Sequence, residues 1–161
     1  MSPVEKTVLD GLSKGIQAEL AAYVFYKKGM EVTQDDKLRD ILADLAGEEK
    51  NHYRILEGQY DNLVRSEMWN TITDVLKKEG LPDIDEKMEA VHEDFIEEVT
   101  ESTTPMRILE IALIFEERAY NLYTDLAKKI ADPKGKETYE FLAKFENGHV
   151  LKIKRLMEEY K

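Results

Sequence analysis

The chain has 161 residues, enough for one domain with a core of its own, and carries 23 Lys plus Arg against 34 Asp plus Glu, a formal charge of −11. That charge repels nucleic acid and anionic membrane surfaces, so neither is expected as a partner. Cysteine is absent, which excludes disulfides, thiolate zinc sites and cysteine-held iron–sulfur centres. No window approaches the ~18 apolar residues of a membrane span, and Met1 to Lys6 contain no signal-like apolar stretch, so the expected location is cytoplasmic.

A first helix is expected over about 3–31. Ser2 with Glu5 spells a capping box and Pro3 suits the first turn. Along it Leu9, Leu12, Ile16, Glu19, Tyr23, Tyr26 and Met30 alternate three and four apart, the spacing of an inner helix face. After a turn at Val32 to Asp35, with Thr33 as a cap, a second helix over about 34–64 carries Leu38, Leu42, Leu45, Glu49, His52, Leu56 and Leu63 on its stripe.

The segment of about 65–104 reads as a crossover: Trp69 to Lys78 resembles a short helix, Gly80 and Pro82 break it, and Asp85 to Glu101 is strongly acidic. Thr104 and Pro105 open a third helix over about 105–131, striped by Met106, Leu109, Leu113, Glu116, Tyr120, Tyr123 and Ile130. Asp132 and Pro133 open a fourth over about 133–160, where Tyr139, Leu142, Glu146, His149, Ile153, Leu156 and Tyr160 face inward. No alternating strand pattern appears, so the expectation for 1–161 is a single all-α domain, a four-helix bundle of two pseudo-equivalent hairpins joined by a long crossover.

The two halves superpose with an offset of 97. Glu116 falls on Glu19, Tyr120 on Tyr23, Tyr123 on Tyr26, Glu146 on Glu49 and His149 on His52. In each half the two carboxylates are equally spaced, 49 − 19 = 30 and 146 − 116 = 30. Four Glu and two His are thereby brought to one level of the bundle. Ionised carboxylates in an apolar interior are costly unless paired or bound to cations, and the nearby cations Lys27, Lys28, Lys50 and Arg118 fall off the inner stripes. Two metal ions would neutralise the cluster, and an oxygen-rich set with imidazole suits iron, with manganese as the alternative.

A lone Glu-x-x-His is a weak signal, and the chain holds its own control in Glu89 and His92. Gln59 stands 33 before His92, where Glu19 and Glu116 stand 33 before His52 and His149. Glu89 and His92 are therefore read as solvated crossover residues. Against the metal stand a buried hydrogen-bond network and a register rotated by one position, which would turn Glu48 and Glu117 inward instead. The tyrosines at 23, 26, 120 and 123 are either plain core or, through their hydroxyls, hydrogen-bond partners that orient carboxylates on adjacent helices. In metal-free protein some carboxyls should stay protonated, and Gln at both 19 and 116 is expected to relieve repulsion and stabilise the fold.

The doubled Glu-x-x-x-Tyr-x-x-Tyr followed by Glu-x-x-His resembles the rubrerythrin branch of the ferritin-like superfamily across all four helices. The resemblance implies two iron ions, with Glu19 and Glu116 as terminal ligands, Glu49 and Glu146 as bridges, and His52 and His149 completing one ion each. It implies reduction of hydrogen peroxide, or oxidation of ferrous iron by peroxide or dioxygen, with the four glutamates as the reactive centre. Full-length rubrerythrins also carry a rubredoxin-like module held by four cysteines. None is present here, so electrons are expected from a separate donor protein such as a rubredoxin. The extra carboxylate that rubrerythrins place one turn after the third-helix ligand is replaced by Ala119, which puts redox-linked ligand switching in doubt. A homo-oligomer, expected as a dimer, suits the redox role. Ferroxidase activity in an iron-storage shell and a purely structural metal-binding helical module are the other two functions compatible with the same residues.

Overall fold

The computed structural model describes residues 5–161, so the Ser2–Pro3 start signal lies outside the described residues. Among these residues the chain is all-helical, without a strand. Four helices are long: α1 (Lys6–Val32), α2 (Asp36–Ser66), α5 (Pro105–Lys129) and α6 (Pro133–Glu159). Between α2 and α5 run α3 (Ile72–Leu76), a 3-10 segment (Ile84–Ala90) and α4 (Asp94–Glu98). No described helix is long and apolar enough to cross a membrane.

Helix starts follow the capping logic with two corrections. Glu5 is extended (φ −64°, ψ 142°) and precedes α1 without a side-chain cap, so the described helix begins at Lys6 rather than at about residue 3. Asp35, not Thr33, caps α2: its carboxylate accepts from the Leu38 N–H at 2.9 Å, whereas Thr33 accepts from the Asp35 N–H and so shapes the turn. Thr104 and Asp132 cap α5 and α6 as expected, each followed by Pro in the first turn.

Helix α1 lies along α2, α5 along α6, and α1 against α5. Their inner faces bury Leu12, Phe25, Leu38, Leu42, Leu45, Leu56, Ile108, Leu109, Leu142 and Ile153 in one core. The expected short helix at Trp69 to Lys78 shrinks to α3, because Trp69 is spent on packing: its ring meets Tyr139 edge-on at 5.8 Å and rests where a Cβ on Gly135 would stand. Far from being a loose linker, the crossover is strapped down. Asn70 is held by Gln59 through bonds of 2.7 and 2.9 Å, the Lys28 ammonium donates to the Ile96 carbonyl at 2.7 Å, and Val75, Ile84, Ile96 and Val99 are buried. Glu89 and His92 are exposed, as read.

Two glycines of α2 separate packing from propensity. A Cβ at Gly58 would stand 2.3 Å from Val75 Cγ1, whereas Gly47 has nothing within 4 Å. Gly58→Ala is expected to lower stability by about 1–3 kcal/mol by pushing α3 off α2. Gly47→Ala should raise it by roughly 0.5–1 kcal/mol through helix propensity alone. Chemical denaturation of both variants checks this; equal effects would mean that α3 is not docked on α2.

Candidate metal centre

The four long helices deliver the six predicted side chains to one place: Glu19 from α1, Glu49 and His52 from α2, Glu116 from α5, Glu146 and His149 from α6. All six are buried, none more than 4 % exposed. They form two overlapping sets whose ligand atoms all lie within 4.8 Å of one another: Glu19, Glu49, His52 and Glu146 in one, Glu49, Glu116, Glu146 and His149 in the other. Glu49 and Glu146 belong to both. Both imidazoles aim Nδ1 inward. His52 Nδ1 lies 2.9 Å from Glu146 Oε1 and 3.7 Å from Glu19 Oε1, and His149 Nδ1 lies 3.0 Å from Glu49 Oε1 and 3.3 Å from Glu116 Oε2. The rings are 6.0 Å apart and nearly parallel. The rotated register fails, since Glu117 is exposed and Glu48 only half-buried.

Two of the four tyrosines orient carboxylates, and they do so across the halves. Tyr123 donates to Glu19 Oε1 at 2.6 Å, and Tyr26 donates to Glu116 Oε1. Tyr23 and Tyr120 do not reach the cluster. Seven residues fall about 20° short of two helical turns, so Tyr26 and Tyr123 project almost as Glu19 and Glu116 do, whereas four residues overshoot one turn by about 40°. Tyr23 is thereby turned toward the crossover, where it donates to Asp85 Oδ1 at 2.5 Å.

A residue of consequence missed by the sequence reading is Glu48. Its Oε2 meets His149 Nε2, the ring nitrogen facing away from the cluster. The offset of 97 supplied a signal that could have found this position, because it pairs Glu48 with Phe145, and Phe145 packs edge-on against His52 with centroids 5.3 Å apart. Each histidine is thus backed by the residue before the other half's Glu-x-x-His, a carboxylate in one case and a phenyl ring in the other. A cavity of about 360 Å³ opens beside His52, lined by Glu48, Asn51, Leu76, Phe141 and Phe145.

Charge in the cluster is arranged in opposites. Burial, reinforced by the neighbouring carboxylates, pushes Glu49 and Glu146 well above the usual range, so both hold protons. Burial also works against ionising Glu19 and Glu116, but hydrogen bonds from the protonated carboxyls and the charge of the histidines hold both below the usual range. Burial lowers His52 and His149, yet the adjacent carboxylates outweigh it and raise them to about 10 and about 11. Two imidazolium ions therefore face two carboxylates, with two neutral carboxyls between. Gln at 19 and 116 would strand those imidazolium ions, so this charge arrangement opposes the expected stabilisation and instead favours Gln at 49 and 146 in metal-free protein.

Glu19 Oε2, Glu49 Oε1 and Glu146 Oε2 are buried without a well-aligned hydrogen bond, although His149 Nδ1 stands 3.0 Å from Glu49 Oε1 and 3.4 Å from Glu146 Oε2. Unsatisfied oxygens of this kind, converging with two imidazole nitrogens, suit cations. The chain is thus an all-α protein with a buried Glu/His cluster that could hold metal. No family model, curated protein or solved structure matches it.

The four raised groups keep their protons in the folded chain above the pH at which the unfolded chain loses them, 4.5 for Glu and 6.5 for His. Their contribution to metal-free stability is complete below those values and lost as pH rises, for the histidines through about 10 and 11. Glu19 and Glu116, being lowered, contribute in full above 4.5 and lose that contribution only as the solution is made acid. Metal-free protein should therefore melt at progressively lower temperature from neutral pH upward. Loading two divalent ions should release about four protons, two from His and two from Glu, measurable in weakly buffered solution. A melting temperature that rises across this range, or loading without proton release, would contradict the charge arrangement. Glu49→Gln with Glu146→Gln should leave the metal-free melt within about 1 kcal/mol of the parent, while Glu19→Gln with Glu116→Gln should cost several-fold more.

Proposed function

We propose that the chain is a ferritin-like four-helix bundle of the rubrerythrin type that holds two iron ions and reduces hydrogen peroxide, or oxidises ferrous iron with peroxide or dioxygen. The observation that carries this proposal is the pair of overlapping ligand sets with Glu49 and Glu146 in common. Such sharing is what two bridging carboxylates require. Glu19 with His52 completes one position and Glu116 with His149 the other. A donor set of oxygen and imidazole nitrogen without sulfur favours iron or manganese. When bound, a ferrous pair supplies the two electrons that, with two protons, turn peroxide into two waters.

The chain's own residues do the rest. Tyr26 and Tyr123 orient the two terminal carboxylates by hydrogen bonds. The cavity beside His52, lined by Phe141 and Phe145 together with the polar Glu48, Asn51 and Arg54, gives a small oxidant an approach. An approach from outside also favours a reactive centre over a sealed structural ion. Electrons come from a donor outside this sequence, such as a rubredoxin, since these residues include no cysteine to hold a rubredoxin-type iron site.

Protein purified without chelator should carry two irons per chain. Glu49→Ala and Glu146→Ala should each lower that content well below two, while His92→Ala, in the exposed crossover, leaves it unchanged. Rapid mixing of the anaerobic ferrous protein with peroxide should oxidise both irons in one phase without radical release. Metal content that survives both glutamate changes overturns the site, and a loaded protein inert to both peroxide and dioxygen overturns the redox role. A closed many-subunit shell in solution would assign the same centre to iron storage.

A further inference from the structure

The internal repeat is broken on its outer face. In the first half, Tyr23 lies under the crossover: Asp85 accepts from its hydroxyl at 2.5 Å and from the Lys50 ammonium at 3.3 Å, and Lys27 stands over its ring at 6.0 Å. Beside Asp85, Ile84 is fully buried. A short piece of chain presenting an aspartate next to an aliphatic side chain thus seals that flank of α1 and α2.

In the second half the equivalent flank is bare. The offset of 97 takes Tyr23 to Tyr120, Lys27 to Thr124 and Lys50 to Asn147, and all three line an open groove of about 440 Å³ between α5 and α6. Among the described residues the Tyr120 hydroxyl has no hydrogen-bond partner, and no segment covers it. The groove also gathers Lys128, Lys136 and Lys144 against one acid, Glu140, which pairs with Lys136 at 3.9 Å. Lys128 and Lys144 pair with no described carboxylate. In a chain of charge −11 this is a local positive excess, and the floor includes Ala127 and Ala143, small enough to leave room for an aliphatic side chain.

We propose that the groove around Tyr120 is a docking site for an acidic segment of a partner protein, one that presents a carboxylate beside an aliphatic residue as Asp85 and Ile84 do on the other half. The phenol of Tyr120 and the Asn147 amide supply donors where Tyr23 and Lys50 supply them in the first half, and Lys128 and Lys144 supply the charge that Lys27 and Lys50 supply there. The inference stands on the repeat and the groove and does not depend on which metal the cluster holds. Its position has a consequence all the same, since Tyr120 follows Glu116 by one turn and Asn147 follows Glu146 directly, so a seated partner lies against the two helices that carry those carboxylates.

The probe is a capped peptide with the sequence of residues 81–90, titrated into the isotope-labelled full chain and followed by NMR. The expected result is saturable shift changes at Tyr120, Thr124 and Asn147. The affinity should fall about tenfold when the peptide carries Asp85→Asn, when the protein carries Tyr120→Phe, and when it carries Lys128→Glu with Lys144→Glu. Tyr120→Phe keeps the ring, so its effect isolates the hydroxyl, and an unchanged spectrum elsewhere shows that the fold is intact. Four results each overturn the proposal: shifts confined to Tyr23 and Lys50, meaning exchange with the chain's own crossover; saturation of the groove by succinate as tight as by the peptide; binding to anionic lipid vesicles instead; and no saturation by the peptide at millimolar concentration.

Discussion

Four carboxyl groups in an apolar interior set the terms for everything around them. Such a cluster is tolerated only if its charge is cancelled, and the cancelling groups come from both hairpins: His52 and Glu49 face Glu19, and His149 and Glu146 face Glu116, within a hairpin, while other contacts cross between them. Glu19 accepts from Tyr123 of the other half, Glu116 accepts from Tyr26, and each histidine aims Nδ1 at a carboxyl group of the opposite hairpin, His52 at Glu146 and His149 at Glu49. The polar cluster is therefore also the contact that registers one hairpin on the other. In the metal-free chain protons do the cancelling, held by Glu49, Glu146 and both imidazoles. Replacing those protons by two divalent ions would conserve the charge, so the same packing could serve both states.

The departures from two-fold repetition are as informative as the repeat. A carboxylate backs His149 where a phenyl ring backs His52, and the cavity opens on the side of the phenyl ring. Two ligand sets built this way are chemically inequivalent, one with its histidine backed by a carboxylate and one with its histidine packed on a phenyl ring beside a cavity of mixed polar and apolar lining. The crossover adds a second asymmetry. It runs over α1 and α2, where it sequesters Tyr23, and leaves Tyr120 half-buried on the wall of an open groove. A chain that duplicates its inner face and not its outer one keeps the buried Glu/His set constant while leaving its two flanks different, one under the crossover and one an open groove.

Much of this was legible beforehand because helical periodicity and internal repetition reinforce each other. Each stripe alone permits rotation by one position, which would have exchanged Glu49 for Glu48 or Glu116 for Glu117. Four stripes that must agree, with Glu and His recurring at the same offset, leave one register. What stayed hidden depended on tertiary direction. That Tyr26 would reach Glu116 while Tyr23 turned to Asp85 hinges on a rotation of tens of degrees about α1 and on where the crossover falls. The crossover itself was read as acidic and partly helical, but its anchorage rests on Gln59 bonding Asn70 and on Gly58 admitting Val75, contacts between residues with no shared pattern. Asp35 rather than Thr33 caps α2 for a similarly local reason, since both residue types cap well and the turn geometry decides.

The most direct measurement is anomalous diffraction at the iron edge from crystals of the ferrous-loaded chain. The geometry of the cluster predicts two peaks about 3.5–4 Å apart, both between Glu49 and Glu146, one also within bonding distance of His52 Nδ1 and the other of His149 Nδ1. A cluster that remains hydrogen-bonded carboxyl to imidazole, with iron absent or scattered over the acidic surface, would contradict it.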